Sequence, residues 1–157
     1  MGGVVGLDAN REARRGLTAP LGEPPLLLRA GAVLPLLDRD VETLAPYAGE
    51  DDLVRVDDRS RRLRLLAVPR GRSSSPLPSG GRARSIEHHG SWTLRIRSRR
   101  LMTFELQASL SELRTPFRPR ELLLNGKPLP NRAWSYERGA QILQASVRGK
   151  RLRLEAR

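Results

Sequence analysis

The chain has 157 residues, of which 38% are hydrophobic and only 4% aromatic, so it can build a core but one with few large side chains. The absence of cysteine excludes disulfides, thiolate metal sites and cysteine nucleophiles. The net charge of +12 suits an anionic partner, although 27 of the 29 basic residues are arginine, a choice typical of GC-rich coding sequence. Residues 71–157 carry the whole excess, with 18 basic residues against 6 acidic ones.

The beginning of the chain shows no targeting or membrane segment. It lacks the charged and apolar regions of a signal peptide, and no apolar run approaches the ~20 residues that a membrane span needs. These observations favour the cytoplasm, leave the compartment undetermined and predict no membrane partner.

Alternation of apolar and polar residues predicts β-strands along most of the chain. The clearest alternating runs cover residues 62–67, 92–97, 102–108 and 151–155. The Asn125-Gly126 pair predicts a two-residue hairpin turn, because both positions tolerate a positive φ. Residues 109–113 are compatible with one helical turn, which Pro116 ends. The predicted fold class is therefore all-β, with two small β-sheet or β-sandwich domains.

Two further glycine-bearing turns are predicted near the C-terminus. They lie at residues 137–140 and 148–150, so residues 133–155 are predicted to form a three-stranded meander.

The stretch RGRSSSPLPSGG at residues 70–81 marks the clearest boundary. Small, polar and proline residues dominate it, and such a composition builds no core and is typical of a linker. The sequence thus predicts a domain over 1–72, a linker over 73–81 and a β-sandwich domain over 82–157.

Histidine and serine clusters are weak candidates for chemistry. His88 and His89 are adjacent, and adjacent strand residues point to opposite faces, so the pair is a poor chelate and is predicted to be exposed. The run Ser73–Ser75 lies in no nucleophile elbow and is assigned to the linker. We therefore predict no metal site and no cofactor.

Acidic clusters at residues 50–52 and 57–58 raise two functional possibilities. Paired carboxylates perform glycoside hydrolysis, and clustered ones bind Ca²⁺. Neither group has the spacing of a calcium loop, and aspartates beside Gly49 are typical of solvated turns. We therefore interpret both clusters as turns and predict no catalytic residue in the chain.

Two further features have a binding and a structural interpretation. The run RIRSRR at residues 95–100 either meets an anionic polymer or forms a solvated face whose arginines prevent edge-to-edge strand pairing. Few aromatic residues interleave these arginines, which disfavours nucleic acid. Trp134 and Tyr136 share one strand face and either stack on sugar rings or pack against Leu143 and Ala145, and we favour packing.

The stretch TAPLGEPPLLLRAGAVLPL at residues 18–36 resembles a segment of glycoside hydrolase family 31. In that family a similar phrase follows the catalytic barrel and enters the proximal C-terminal β-domain. The later phrase LNGKPL at residues 124–129, followed by Trp134-Ser135-Tyr136, resembles the distal β-domain of the same enzymes. Together the two phrases span most of the chain from Thr18 onward.

The resemblance implies an intact enzyme of the α-glucosidase or α-xylosidase type, which hydrolyses α-glycosidic bonds with two aspartates and retains configuration. The family's nucleophile motif, W-x-D-M-[NS]-E, is matched at neither Trp92 nor Trp134. A (β/α)₈ barrel needs about 250 residues, more than this chain has. No catalytic residue is therefore carried over from the family to this chain.

We accordingly interpret the chain as the non-catalytic C-terminal β-region of a family 31-like enzyme. Residues 1–72 would be a truncated proximal domain and residues 82–157 the distal one. Its expected partner is a (β/α)₈ catalytic barrel, in the same chain or a separate one, and carbohydrate stays open as a second partner. The alternative is a stand-alone basic β-module that binds polysaccharide or another anionic polymer.

Overall fold

A computed structural model describes residues 4–5, 16–17, 28–36 and 61–157, and almost all of them lie in strands or the turns between strands. The strands are β1 Val4–Val5, β2 Gly16–Leu17, β3 Val33–Leu36, β4 Arg62–Ala67, β5 Arg72–Pro76, β6 Gly81–His88, β7 Ser91–Ser109, β8 Leu122–Leu124, β9 Lys127–Pro128, β10 Trp134–Glu137 and β11 Ile142–Ala156. Two single 3₁₀ turns, Leu110–Glu112 and Asn131–Ala133, complete the described elements. The predicted all-β fold class is confirmed.

Nine strands form one sheet around β7 and β11, which pair with each other in antiparallel fashion. On one side β7 pairs with β6, which pairs in turn with β5. Farther along its length β7 pairs in parallel with β4, which carries β3 on its other edge. β11 also pairs with β8 and β10, and β9 follows β8. The strands β1 and β2 pair only with each other within the described residues.

An irregularity divides the central ladder into two parts. Met102 pairs with Gly149 and Arg97 pairs with Arg151, so four residues of β7 stand opposite Lys150 alone. A bulge of this kind bends the strands and increases their twist. We call β5, β6, residues 91–97, residues 151–156, β8 and β9 the first half of the sheet. The remaining strands of the nine, with residues 102–109 and 142–149, are the second half.

Both halves bury their side chains in one core. Residues 92, 94 and 96 of β7 are buried, and so are residues 102, 104, 106 and 108 beyond the bulge. In β11 the buried positions change from odd to even across the bulge, from Val147 to Leu152, which keeps apolar side chains on the inner face. All of these residues belong to a single buried cluster, so the bent sheet wraps around one core. Trp92 is fully buried, and its indole Nε1 donates a hydrogen bond of 2.8 Å to Ser85 Oγ.

Several local predictions are confirmed. Asn125 and Gly126 have φ angles of 52° and 84° and connect β8 to β9, as the hairpin signal predicts. The predicted helical turn near residue 110 is a 3₁₀ turn at Leu110–Glu112. A turn also separates β10 from β11 at residues 138–141.

The stretch predicted as a linker, residues 73–81, is largely a β-hairpin. Ser73–Pro76 lie in β5 and pair with residues 82–85 of β6, and Leu77 is buried in the core. An edge strand accepts serine and proline, because one of its sides has no hydrogen-bonding neighbour. The strands β3 and β4 before this hairpin and the strands after it share one sheet and one core. Most of residues 1–72 lies outside the described part of the chain, so the division into domains over 1–72 and 82–157 stays a prediction.

The turn predicted at residues 148–150 is also absent. These residues lie inside the continuous strand β11, where Gly149 marks the bulge. A β-carbon at Gly149 would collide with the Leu152 side chain, so the glycine serves a close contact within a strand and does not reverse the chain. The predicted meander over 133–155 is therefore a pair of strands, β10 and β11.

Some predictions lie outside the described residues. They concern the acidic clusters at 50–52 and 57–58 and the family-like phrase from Thr18 to residue 27. Among the described residues there is no helix long and apolar enough to cross a membrane.

Gly81 begins β6 where no other residue fits. Its φ is +112°, and an added β-carbon would collide with the carbonyl oxygen of Arg97 and lie 2.9 Å from the carbonyl carbon. We expect Gly81→Ala to lower the free energy of unfolding by about 2 kcal/mol or more in denaturant titrations, because it adds a steric clash to backbone strain. Gly90→Ala is the matched control: φ is +69° there and no atom lies within 4 Å, so only about 1 kcal/mol should be lost. Equal losses in both variants would show that the contact with Arg97 is unimportant.

Candidate functional site

Six arginines form two transverse rows on the first half of the sheet. In one row Arg82 of β6 pairs with Arg97 of β7, which pairs with Arg151 of β11. In the other row Arg84 pairs with Arg95, which pairs with Arg153. All six residues are exposed. We call this surface the arginine face.

The alternation of each strand places these side chains on the outer surface. On β6 the residues next to Arg84 in sequence, Ala83 and Ser85, are buried at 0% and 1% exposure. Leu94 and Ile96 flank Arg95 in the same way, and Leu152 and Leu154 flank Arg153. Successive strand residues point to opposite faces, so the buried residues hold the arginines outward.

The arginine face has little negative charge of its own. Within the described residues its one acidic side chain is Glu155, which accepts a bond of 2.9 Å from Arg153 and lies 3.2 Å from Arg157. No carboxylate of the described part pairs with the other five arginines of the face. Like charges that stand directly opposite each other on neighbouring strands destabilise a sheet. Within the described residues, no acidic side chain offsets this repulsion at five of the six arginines.

The outer surface of the second half of the sheet has a different charge pattern. There Thr103 stands between Arg62 and Arg148, and Glu105 stands beside Arg64. The cationic side chains on that surface stand opposite a neutral or an acidic residue and not opposite another arginine. Arginines that stand directly opposite each other thus characterise the arginine face and do not follow from composition alone.

A cleft lies where β10 approaches the segment before β8. Its volume is about 830 Å³, and it is lined by three arginines, two aromatic residues and three others: Arg118, Arg120, Arg138, Trp134, Tyr136, Pro119, Asn131 and Ser135. The two aromatic residues pack against the core and stand opposite Ala145 and Leu143, so the packing that we favoured from the sequence is confirmed. The buried indole nitrogen Nε1 of Trp134 has no hydrogen-bond partner among the described residues.

A smaller pocket of about 240 Å³ surrounds Glu87, beside the two histidines. The Glu87 carboxylate accepts hydrogen bonds from the backbone N–H groups of Gly71, at 2.6 Å, and Arg114, at 2.5 Å. Burial opposes ionisation of Glu87, but the bonds from Gly71, Arg114 and Thr115 and the charge of Arg114 together hold its pKa below the ordinary value. This carboxylate joins two loops to β6 and has a structural role.

The remaining candidates from the sequence are not brought together. His88 and His89 are exposed, as predicted, and within the described residues no group of three or more potential ligands is positioned to hold a metal ion. Ser73–Ser75 lie on the edge strand β5, and the buried Ser73 Oγ has no hydrogen-bond partner within the part of the chain that the structure describes.

The sequence pattern behind the arginine face is recognisable only when several strands are compared. Three strands each carry the pattern Arg-x-Arg, at residues 82–84, 95–97 and 151–153. Another copy, at residues 62–64 of β4, faces Thr103 and Glu105 instead. The pattern becomes a site only where the register places three copies side by side.

Comparisons with known proteins add no assignment. No protein-family model matches the chain, and a search of curated proteins gives no match. These results neither support nor contradict the resemblance to glycoside hydrolase family 31, which stays a prediction.

The role of Glu87 predicts a pH-dependent stability. Since the folded state depresses its pKa, the ionised carboxylate stabilises the fold above the unfolded pKa near 4.5, and this contribution is lost as the pH falls through the lower, folded pKa. We expect Glu87→Gln to lower the free energy of unfolding by about 1.5–3 kcal/mol at pH 7, the scale of a hydrogen bond to a charged group. The difference from the unsubstituted protein should shrink when melting is repeated near pH 3. A difference that persists at pH 3 would contradict the assignment, and Glu112→Gln, at an exposed position, is the control.

Proposed function

We propose that this chain is the non-catalytic C-terminal β-region of an enzyme similar to glycoside hydrolase family 31. The supporting observation is the position of the family-like phrase at residues 18–36. Its described end turns at Gly31, whose N–H donates a hydrogen bond of 2.5 Å to the carbonyl oxygen of Val68, and continues as strand β3. A phrase that enters a β-domain in the resembled enzymes thus continues here into a strand of the nine-stranded sheet.

The role of such a region is to support a catalytic barrel. In the intact enzyme the barrel would supply both catalytic aspartates and hydrolyse α-glycosidic bonds. This chain would supply an all-β unit with its own buried core, and β3, the first strand of the nine-stranded sheet in chain order, lies at the edge of that sheet.

A second candidate function rests on the arginine face. Arg95 and Arg97 lie on β7, which pairs with β6 on one side and β11 on the other. Their exposure agrees with a solvated face at residues 95–100, but they do not lie at a free sheet edge and therefore do not protect one. We propose as the alternative that the chain is a basic β-module that binds an anionic polymer.

The first proposal predicts that the isolated chain has no glycosidase activity. Incubation with aryl α-glucosides and α-xylosides should give background rates, because the proposal assigns both catalytic aspartates to the barrel. Activity that survives repurification and is abolished by Asp51→Asn or Asp57→Asn would contradict the proposal.

The coding sequence upstream of Met1 supplies a second measurement. An in-frame or adjacent (β/α)₈ barrel with the family's nucleophile motif is expected. An upstream neighbour unrelated to sugar hydrolysis would favour the basic module instead.

A further inference from the structure

We infer that the arginine face binds an anionic polysaccharide, a sugar chain that carries carboxylate or sulfate groups. The inference rests on the second proposed function and does not require the first. It names the polymer class and assigns the contact to the two rows Arg82–Arg97–Arg151 and Arg84–Arg95–Arg153.

The geometry of the rows suits a polymer with repeated anionic groups. Neighbouring strands lie about 4.8 Å apart, and alternate residues of one strand about 6.8 Å apart. The six side chains thus start from a regular array of about 10 by 7 Å. Each guanidinium presents a planar fork of N–H donors, which matches the paired oxygens of a carboxylate or sulfate in bidentate fashion. A linear polyanion can place successive groups along or across this array.

The electrostatics of the face point to an external anion. Arg95 has a like charge directly opposite on both sides, Arg84 on β6 and Arg153 on β11, and Arg97 has Arg82 and Arg151. Glu155, at the end of the face, is already paired with Arg153 and Arg157. An anion lying across the rows would neutralise several cations at once and relieve their mutual repulsion.

The chemistry around the rows favours a polysaccharide over nucleic acid. The cross-strand neighbours that extend the rows on β5 are Pro76 and Ser74, and the next residues on the same face are Ile86 and Thr93. None is aromatic, so the face offers no stacking platform for the bases of a single strand. A broad sheet face also does not enter the major groove, which admits a helix or a two-stranded ribbon.

The same surroundings disfavour a membrane. Interfacial binding combines cationic groups with apolar side chains that enter the lipid. Among the described residues Leu101 is the one large apolar side chain that is strongly exposed, at 47%, and it lies in the bulge beyond the rows. Repeated anions presented in a hydrated chain are therefore the better match.

The test measures binding to defined polymers by isothermal titration at two salt concentrations. Heparin supplies sulfates and polygalacturonate supplies carboxylates, and dextran is the neutral control. We expect binding to at least one of the two polyanions and none to dextran. Affinity should fall at least about tenfold between 50 mM and 200 mM salt, because binding releases counterions. The two polyanions then distinguish sulfate from carboxylate as the preferred group.

Charge reversal at the centre of the rows separates binding from folding. Arg95→Glu with Arg97→Glu should weaken polyanion binding at least about tenfold. The same variant replaces four like-charge pairs with opposite-charge pairs, so its melting temperature should rise by about 2–4 °C. Arg62→Glu with Arg148→Glu on the second half of the sheet is the matched control, since it changes the net charge equally. It should leave the affinity within about twofold if binding is local to the face.

Each outcome decides a different point. Equal losses in the two double variants would overturn the assignment to the arginine face, because net charge alone would then explain binding. Binding to duplex DNA, with none to heparin or polygalacturonate, would overturn the polysaccharide while leaving the second proposed function intact. Binding to phosphatidylserine vesicles alone would overturn both. Absence of binding to every polyanion would overturn both.

Discussion

The pairing of β7 with β11 is the interaction on which the rest of this structure depends. Between them these two strands place side chains in both halves of the sheet and carry four of the six arginines of the arginine face. Their bulge lets the ladder continue while the strands bend, so that residues far apart along β7 cover the same core. Because the strands bend, the buried positions of β11 must change from odd to even residue numbers. This change occurs between Val147 and Leu152.

Local features of the fold were accessible from the sequence because they depend on neighbours along the chain. The alternation over 62–67 and 102–108, the turn at Asn125-Gly126 and the packing of Trp134 and Tyr136 all follow from the two-residue period or from backbone preference. The features that sequence reasoning missed depend on a distant partner. Ser73–Pro76 form a strand because they pair with β6. Gly149 suggests a turn in the sequence, but in the fold the Leu152 side chain occupies the space that a β-carbon at residue 149 would need.

The candidate site likewise has features that the sequence shows and one feature that depends on which strands pair. The excess of basic residues after residue 70 is plain in the sequence, and each Arg-x-Arg pair is visible as an alternating strand. Which pairs become neighbours is decided by hydrogen bonding between β6, β7 and β11, strands whose order in the sheet is set by the whole fold. The pair at residues 62–64 has the same local pattern but does not join a row of arginines, because its neighbour on β7 is Glu105. The chain is rich in arginine, and the order of the strands places three Arg-x-Arg pairs side by side on one surface.

The central ladder also has a consequence for how quickly the chain reaches its fold. β7 and β11 are separated by residues 110–141, and β4 must pair in parallel with a strand that ends some 40 residues later. Closing such loops costs entropy before the long-range contacts repay it, so topologies of this kind fold slowly, on a scale of milliseconds to seconds. Until β11 arrives, the inner face of β7, with Trp92, Phe104 and Leu106, has no cover from its main partner. In the first part of β7, arginines alternate with the apolar residues, so the strand is charged before β11 pairs with it. This charge disfavours pairing of β7 with another copy of the chain during synthesis.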